Sequence, residues 1–298
     1  MQTLRAVCYR PFCGNSKPTD ISVYLRHFVA EFQTLQSSGV GIGNQRYNVV
    51  LSAFVCDTPA RAFAKHVKGH TGYFGCDKCI QEGEYVNGRM TFPEINANLR
   101  TGESFRAMSN DDHHLGKTPF TDRPVNMISG FPLDYMHLIC LGVVQKLLYL
   151  WLKGPLGVCL GGQTITNISV RLVLLGSPVL LEFNRKPRSL DYLDRWKATE
   201  LHQFLLYTGM VCLCGLLNDT LYSNFMLLSV AMSILRSPTL CHKYCGMVFS
   251  SLCHMGPIWK PYGIHMGWSY GYHMARRVQT RSKPIWMPSE QSHGRITV

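Results

Sequence analysis

Residues 47–68, YNVVLSAFVCDTPARAFAKHVK, change from a strand pattern to a helix pattern within a few positions. The first half is a short run rich in β-branched and aromatic side chains, which predicts a buried strand that ends at Asp57. Residues 58–68 predict a short helix, with Pro59 near its first turn, where proline is tolerated. This strand followed by a helix favours the α/β class.

A helix is predicted just before that strand. Residues 21–36, ISVYLRHFVAEFQTLQ, place apolar side chains at i, i+3, i+4 and i+7 spacing along one face. Asp20 directly precedes the run and suits the N-cap position, because its carboxylate can accept from the free amides of the first turn. The glycine-rich stretch SSGVGIGN, residues 37–44, ends the helix.

Composition describes a basic globular protein. The chain has 298 residues, of which 46% are hydrophobic and 16% charged, so wholesale disorder is disfavoured. Lys and Arg number 30 against 18 Asp and Glu, a formal net charge of +12. Such an excess attracts polyanions, and nucleic acid is the commonest polyanion inside a cell. A basic surface without a dedicated ligand is the alternative.

The cysteines indicate a reducing compartment. Most of the 12 stand singly in apolar runs, where free thiols behave as small hydrophobic side chains. The N-terminus has no continuous apolar core of the kind a signal peptide needs. The longest apolar stretches are 138–160, which is interrupted by Gln145, Lys146 and Lys153, and 204–217, which is too short to span a bilayer. We therefore expect an intracellular protein and no membrane partner.

The chain divides into three regions by pattern. Residues 69–110 are loop-like, whereas 133–152, 195–217 and 221–236 predict core helices, and 183–194 a basic connector. After about Lys243 the aromatic residues are scattered without a clear period. The predicted regions are 1–130, the α/β part; 131–242, a mainly helical part; and 243–298, a divergent tail that need not be packed.

Asp57 is the first candidate for chemistry. A carboxylate at the C-terminal end of a strand lies where α/β sheets place metal or ligand groups, and Asp is a hard oxygen ligand suited to Mg²⁺. Two-metal phosphoryl transfer needs several such carboxylates. The alternative is an Asp that starts a turn before Thr58-Pro59.

The stretch GHTGYFGCDKC contains His70, Cys76 and Cys79. A Cys-x-x-Cys pair lets two thiolates reach one tetrahedral Zn²⁺, and the glycines let the loop turn tightly around it. Two further ligands are needed, for which the nearby candidates are His66, His70, His113 and His114. Incidental cysteines are the alternative, and a redox motif is disfavoured because the pair is not at a helix start.

Asp134 and His137, in FPLDYMHLICLGV, are three residues apart. On a helix this spacing puts both side chains on one face, where the carboxylate can orient the imidazole. The alternative is an Asp near an N-cap beside a core histidine.

A basic group, Arg185, Lys186 and Arg188, lies in the connector and is followed by further basic and aromatic residues. Interleaved cations and aromatic rings can follow a phosphate backbone, although a solvated connector would show the same pattern. Glu200, one helical turn from Trp196, is a surface carboxylate in the simpler interpretation and a catalytic one in the other.

In order along the chain, these motifs resemble the transposase-derived reading frames of CACTA (En/Spm-like) DNA elements of animals. The resemblance runs from about Phe12 to Leu240. Its most specific pieces are CDTPAR with GYFGCDKC, DYMHLICLGV, and RKPRSL with WKATELHQFLLYTG.

The resemblance implies a partial RNase H-like core, a mixed sheet with flanking helices, plus a mainly α-helical insertion. It also implies an Asp-Asp-Glu site that uses Mg²⁺ to cut and join DNA, a nuclear location and possible homo-oligomers. Asp57 matches the second Asp of that triad, and Asp134 with His137 matches an Asp-x-x-His signature. Cys76 and Cys79 match half of a structural zinc site.

The departures from the family concern the catalytic acids. The first Asp of the triad belongs on an upstream strand, and no carboxylate precedes Asp20. The His-x-x-x-His segment and the Phe-Glu helix of the family have no counterpart here, since His265 and His273 stand in another context and Glu290 in a Pro/Ser tail. We therefore expect an inactive transposase remnant, or alternatively a domesticated DNA-binding or protein-interaction module.

Overall fold

The computed structural model describes residues 18–51, 53–86, 88–94, 97–177, 183, 185–237, 239–241, 243, 244, 246 and 248, and the backbone of 295–297. These residues belong to two compact units. Unit 1 contains the described residues up to Leu133 and the strand at 295–297, and unit 2 those from Asp134 onward. The predicted tail, 243–298, lies mostly outside the described residues.

Unit 1 combines short helices with two small sheets. Its elements are α1 (Ile21–Ser38), β1 (Val40–Ile42), β2 (Gln45–Val50), α2 (Thr58–Lys65), β3 (Glu84–Val86), β4 (Arg89–Thr91), α3 (Gly102–Arg106) and β5 (Arg295–Thr297). Strand β2 pairs antiparallel with β1 and parallel with β5, while β3 and β4 form a separate antiparallel pair. The mixture of helix and strand agrees with the predicted α/β class at this coarse level.

The predicted first helix is confirmed. The Asp20 carboxylate accepts hydrogen bonds from the backbone N–H groups of Ser22 and Val23, which fixes the start of α1. The helix ends before Gly39, whose φ of 68° suits glycine. A Cβ atom there would lie 2.6 Å from the carbonyl oxygen of Tyr47 in β2, so glycine also permits the close approach of the strand.

The predicted strand end is wrong. Strand β2 stops at Val50, and the described residues between it and Asp57 have no strand pairing. Phe54 explains the difference, because its N–H donates to the carbonyl oxygen of Gly130 at 2.7 Å. Its ring packs against Phe120 and Phe131 at centroid distances of 4.3 and 5.1 Å. Aromatic packing thus holds this segment against residues 130 and 131 instead of a sheet neighbour.

Unit 2 is helical in its described residues. A π-helical segment, Met136–Val144, runs directly into α4 (Gln145–Lys153). Then come α5 (Gly162–Leu175), a 3-10 turn (Leu190–Arg195), α6 (Ala198–Gln203), a second π-helical segment (Phe204–Thr208), α7 (Gly209–Leu213) and α8 (Asp219–Arg236). The three predicted core helices are confirmed with small shifts of their ends, whereas α5 was not predicted.

Both π-helical segments lie in motifs that carry the resemblance, and glycine accompanies each of them. The Gly209 N–H donates to the carbonyl oxygen of Phe204, five residues back, which widens the turn. A Cβ atom on Gly209 would lie 2.5 Å from that oxygen and 2.6 Å from the Phe225 ring. A Cβ atom on Gly142 would lie 3.0 Å from the carbonyl oxygen of His137. Glycine therefore lets each wide turn close on its neighbours.

The helix from Met136 to Lys153 is long and apolar enough to cross a membrane by length and composition alone. Core helices of soluble proteins pass the same test. Here Ile139, Val144, Leu148 and Trp151 are buried inside unit 2. The expectation of no membrane partner stays a prediction.

Candidate functional site

The loop after α2 brings Cys76 and Cys79 together. Their sulfur atoms are 3.0 Å apart, and both residues are buried. The Cys79 N–H donates to the Cys76 Sγ at 3.4 Å, and the Gln81 amide donates to the Cys79 Sγ at 3.0 Å. Donors aimed at sulfur stabilise thiolate character. The hydrogen bond with Cys76, followed by those from Gln81, lowers the Cys79 pKa to about 6 against the opposing effect of burial.

Tight turns give the loop its shape. The N–H of Gly72 donates to the carbonyl oxygen of Gly69, and that of Gly75 to the carbonyl oxygen of Gly72. A Cβ atom on Gly75 would lie 2.1 Å from the Gly69 oxygen, which no side chain can accommodate. The predicted role of the glycines in turning this loop is therefore confirmed.

The residues between the two cysteines anchor the loop to α2. Asp77 forms a buried ion pair with Lys65, and its carboxylate lies 3.5 Å from the Arg61 Nε. The Lys78 ammonium is 3.1 Å from the same carboxylate and donates to the backbone oxygens of Ile128 and Phe131 at 2.9 Å. One carboxylate thus ties together three buried cations.

The pKa values of this cluster follow from burial and charge. Burial lowers the pKa of Lys65, and the attraction of Asp77 opposes that shift. Burial alone would raise the pKa of Asp77, but Lys65, Lys78 and Arg61 lower it well below its ordinary value. Asp77 is therefore charged at neutral pH and compensates the cations around it.

His113 is the most buried histidine of the described residues near the cysteine loop. Its Nδ1 lies 2.7 Å from the carbonyl oxygen of Phe74, and its Nε2 has no hydrogen-bond partner among the described residues. Burial, and then the charge of Arg100, lower the His113 pKa to about 3. The ring is therefore neutral, with its proton on Nδ1 and a lone pair on Nε2, the form that binds metals.

The other histidine candidates have separate environments. His66 ends α2 with a φ of 53°, and its Nδ1 lies 3.2 Å from the carbonyl oxygen of Lys117. His114 packs edge-on against Phe105. His70 is half-buried, and burial lowers its pKa. Within the described residues no three His, Cys, Asp or Glu side chains form a group able to hold a metal ion. The assignment of His70 to the cysteine pair stays a prediction.

Asp57 is the N-cap of α2. Its carboxylate accepts from the Ala60 N–H at 2.8 Å, and its backbone oxygen accepts from the Arg61 N–H. The turn-forming alternative describes this local geometry well, since the chain before Asp57 is not a strand. A capping carboxylate typically contributes about 1 kcal/mol to helix stability.

Asp134 and His137 form a hydrogen-bonded pair at the start of the first π-helical segment. One Asp134 oxygen accepts from the Met136 N–H at 2.9 Å, and the other pairs with the His137 Nδ1. The His137 side chain is 55% exposed, against 15% for Asp134. The carboxylate thus orients the imidazole, as the spacing predicted, and leaves Nε2 as the free ring nitrogen.

The sequence did not single out a second polar cluster, close to Asp134 in unit 2. An Arg236 guanidinium nitrogen lies 2.6 Å from the His202 Nε2, and the His202 ring contacts Tyr135 and Tyr207 edge-on. The Tyr135 hydroxyl is buried and has no hydrogen-bond partner of ordinary geometry among the described residues. Burial raises its pKa, and burial raises that of the adjacent Cys140 thiol to about 12. Both groups are uncharged at neutral pH.

The basic connector separates into a fixed residue and two exposed ones. Arg188 donates from two nitrogens to Glu200, at 2.6 and 2.9 Å, and also to the backbone oxygen of Arg195. The Glu200 side chain is 3% exposed, so its interpretation as a surface carboxylate is wrong. Arg185 and Lys186 are exposed. The sequence around Glu200 gave no indication that its partner is Arg188, 12 residues earlier.

Comparisons of the chain with known protein families, with curated proteins and with solved structures return no match. The motifs and their geometry are therefore the grounds for a functional proposal.

Proposed function

We propose that the chain is derived from a CACTA-like transposase, lacks strand-cleaving activity and retains affinity for DNA. Unit 1 would be the remnant of the RNase H-like core with its cysteine loop. Unit 2 would be the helical insertion. The ancestral reaction would be Mg²⁺-dependent cleavage and joining of DNA.

The observation that carries this proposal is the pairing of the motifs with one another. Arg61 of CDTPAR faces Asp77 of GYFGCDKC, and Arg188 of RKPRSL pairs with Glu200 of WKATEL. Both carboxylates are buried, and a buried charge without its partner is strongly destabilising. Sequence motifs that supply each other's buried counter-ions behave as parts of one ancestral fold.

The state of Asp57 supports the absence of catalysis. Two-metal phosphoryl transfer requires several carboxylates around a cation pair. The Asp57 carboxylate is engaged by the first turn of α2, where it accepts from the Ala60 N–H. Removing one member of such a carboxylate set typically costs orders of magnitude in rate.

The cysteine loop supports a structural zinc ion. Two adjacent, buried sulfurs that accept hydrogen bonds fit the donor chemistry of Zn²⁺, which would hold the loop closed when bound. His113 is buried and its Nε2 has no hydrogen-bond partner among the described residues, but it does not form a ligand group with the two cysteines there. Cys76 and Cys79 are the residues that we expect to bind the ion.

The remaining DNA affinity follows from charge. The chain carries a formal net charge of +12, and Arg185 and Lys186 are exposed. Such residues bind phosphates and release counter-ions, so binding weakens as salt rises. Since Arg188 is committed to Glu200, we assign it to the fold and Arg185 and Lys186 to the DNA contact.

The test is binding of a fluorescent 20-base-pair duplex between 50 and 300 mM KCl, followed by anisotropy. We expect the logarithm of the affinity to fall linearly with the logarithm of the salt concentration. The slope should correspond to several phosphate contacts. Arg185→Gln with Lys186→Gln should reduce the slope by about 2. Arg46→Gln with Arg89→Gln, exposed positions of unit 1, is the matched charge control. Affinity that does not change with salt would overturn the DNA-binding proposal.

A further inference from the structure

The His202–Arg236 pair in unit 2 has an electrostatic feature that neither the fold nor the sequence motifs explain. Arg236 ends α8 with an exposed side chain and takes part in none of the ion pairs that the described residues form. Its close partner is the His202 Nε2, at 2.6 Å. An arginine is always protonated, so it must be the donor and the imidazole the acceptor. His202 is therefore neutral and keeps its proton on Nδ1, as a second donor.

The tyrosine that contacts the pair and the thiol beside it carry no charge. Tyr135 and Cys140 are uncharged because burial raises both pKa values. Asp134 is a negative charge that acts on the same thiol, but its carboxylate is hydrogen-bonded to His137 and the Met136 N–H and not to Arg236. Burial lowers the pKa of His202, which keeps the imidazole neutral beside the cation. The pair thus combines a guanidinium that makes no direct ion pair among the described residues with a neutral imidazole.

Aromatic contacts join this pair to the basic connector. The His202 ring lies 6.3 Å from that of Tyr207, which in turn contacts Phe183 at 5.2 Å. Phe183 is two residues before Arg185, and Tyr207 is 47% exposed. Arg185 and Lys186 therefore follow directly after the row of rings formed by His202, Tyr207 and Phe183. Cations alternating with exposed aromatic rings are typical of surfaces that bind nucleic acid.

We propose that Arg236, His202 and Tyr207 form an anion site that takes a backbone phosphate of DNA and extends the contact made by Arg185 and Lys186. This inference rests on the proposed DNA affinity and adds its location. The guanidinium and the His202 Nδ1–H donate to phosphate oxygens, and the Tyr207 ring packs against the sugar or base beside them.

The experiment compares the unaltered chain with Arg236→Gln, Arg236→Lys and the control Arg89→Gln in the salt titration. Arg89 is an exposed arginine of β4 in unit 1, so its replacement changes net charge equally. We expect Arg236→Gln to weaken binding about tenfold at low salt and to reduce the slope by about 1. Arg236→Lys should retain the slope, because it retains the charge. Arg89→Gln should change neither clearly.

Three outcomes would overturn the inference, and they are distinguishable. If the unaltered chain shows no salt-dependent binding, the proposed DNA affinity and this site fail together. If the chain binds but Arg236→Gln equals Arg89→Gln, the site alone fails. Inorganic phosphate provides the last test, through the imidazole NMR signal of His202. A shift with phosphate, together with an unchanged DNA slope in Arg236→Gln, would assign the site to small anions and not to DNA.

Discussion

Unit 1 and unit 2 bury charge in different ways. In unit 1, Asp77 is surrounded by Arg61, Lys65 and Lys78, all buried, around a loop with two thiols. In the described part of unit 2, Arg188 pairs with the buried Glu200 beside a helical core that is otherwise mostly apolar. A network in which one carboxylate serves three cations depends on each member. A core held by helix packing loses less when one pair is removed.

The largest expected difference between the units is their response to metal removal. Chelation, or the change of both Cys76 and Cys79 to Ser, should destabilise unit 1 by several kcal/mol, because binding of a structural zinc is coupled to folding. Unit 2 should keep its stability. Hydrogen exchange by mass spectrometry resolves the two units, and elemental analysis gives the zinc content. Cys159→Ser, in unit 2, is the control, and equal zinc content in both variants would contradict the assignment.

Asp77→Asn tests the charged network itself. It leaves Arg61, Lys65 and Lys78 without their shared counter-ion, and breaking buried pairs of this kind costs about 3–5 kcal/mol. Urea denaturation measures the loss. Asp112→Asn removes an exposed carboxylate 3.8 Å from Lys68 and should change stability by less than about 1 kcal/mol. Similar losses in the two variants would show that burial does not govern this cluster.

Glu200→Gln is the corresponding change in unit 2. We expect a loss of about 2 kcal/mol, less than for Asp77, because Arg188 is 34% exposed and keeps some hydration. The double variant Arg188→Met with Glu200→Met should recover much of that loss, since an apolar pair can replace a buried ion pair. A double variant less stable than Glu200→Gln would indicate that the pair cannot be replaced by packing.

Acid should lower the stability of unit 1 through protonation of His113. Its folded pKa, about 3, is below the ordinary 6.5, so the unfolded chain takes up the proton first. The free energy of unfolding that depends on a neutral His113 is at its full value above pH 6.5, and it decreases as the pH falls toward 3. Between pH 6.5 and 5 the loss is on the order of 1–2 kcal/mol. The lowered Cys79 pKa acts in the same direction, but from pH 9 down to about 6.

His113→Asn isolates the histidine contribution. The Asn amide can replace the Nδ1 donor to the Phe74 oxygen and does not titrate. In metal-free buffer, denaturation of the variant between pH 6.5 and 5 should show a weaker pH dependence than that of the unaltered chain. The same slope in both proteins would place the acid sensitivity elsewhere.

The sequence predicted those features that depend on local pattern. Asp20 caps α1 as expected, and apolar periodicity located the core helices of unit 2. The Asp134–His137 contact also followed from spacing.

Features that depend on distant partners could not be predicted. Strand β2 ends early because the Phe54 ring packs against the ring of Phe131, 77 positions later. Glu200 looked exposed because its counter-ion precedes it in another motif. His113 was one of four nearby histidine candidates, of which the sequence favoured His70, because the hydrogen bond of His113 joins it to Phe74, 39 positions earlier.

The most direct test of the proposed function is nicking of supercoiled plasmid by the purified chain in Mg²⁺ or Mn²⁺. Asp57→Ala is assayed beside it, with α2 integrity checked by circular dichroism, since Asp57 also caps that helix. We predict DNA binding without nicking in both proteins. Metal-dependent nicking by the unaltered chain that is lost in Asp57→Ala would contradict the account and make Asp57 a working catalytic ligand.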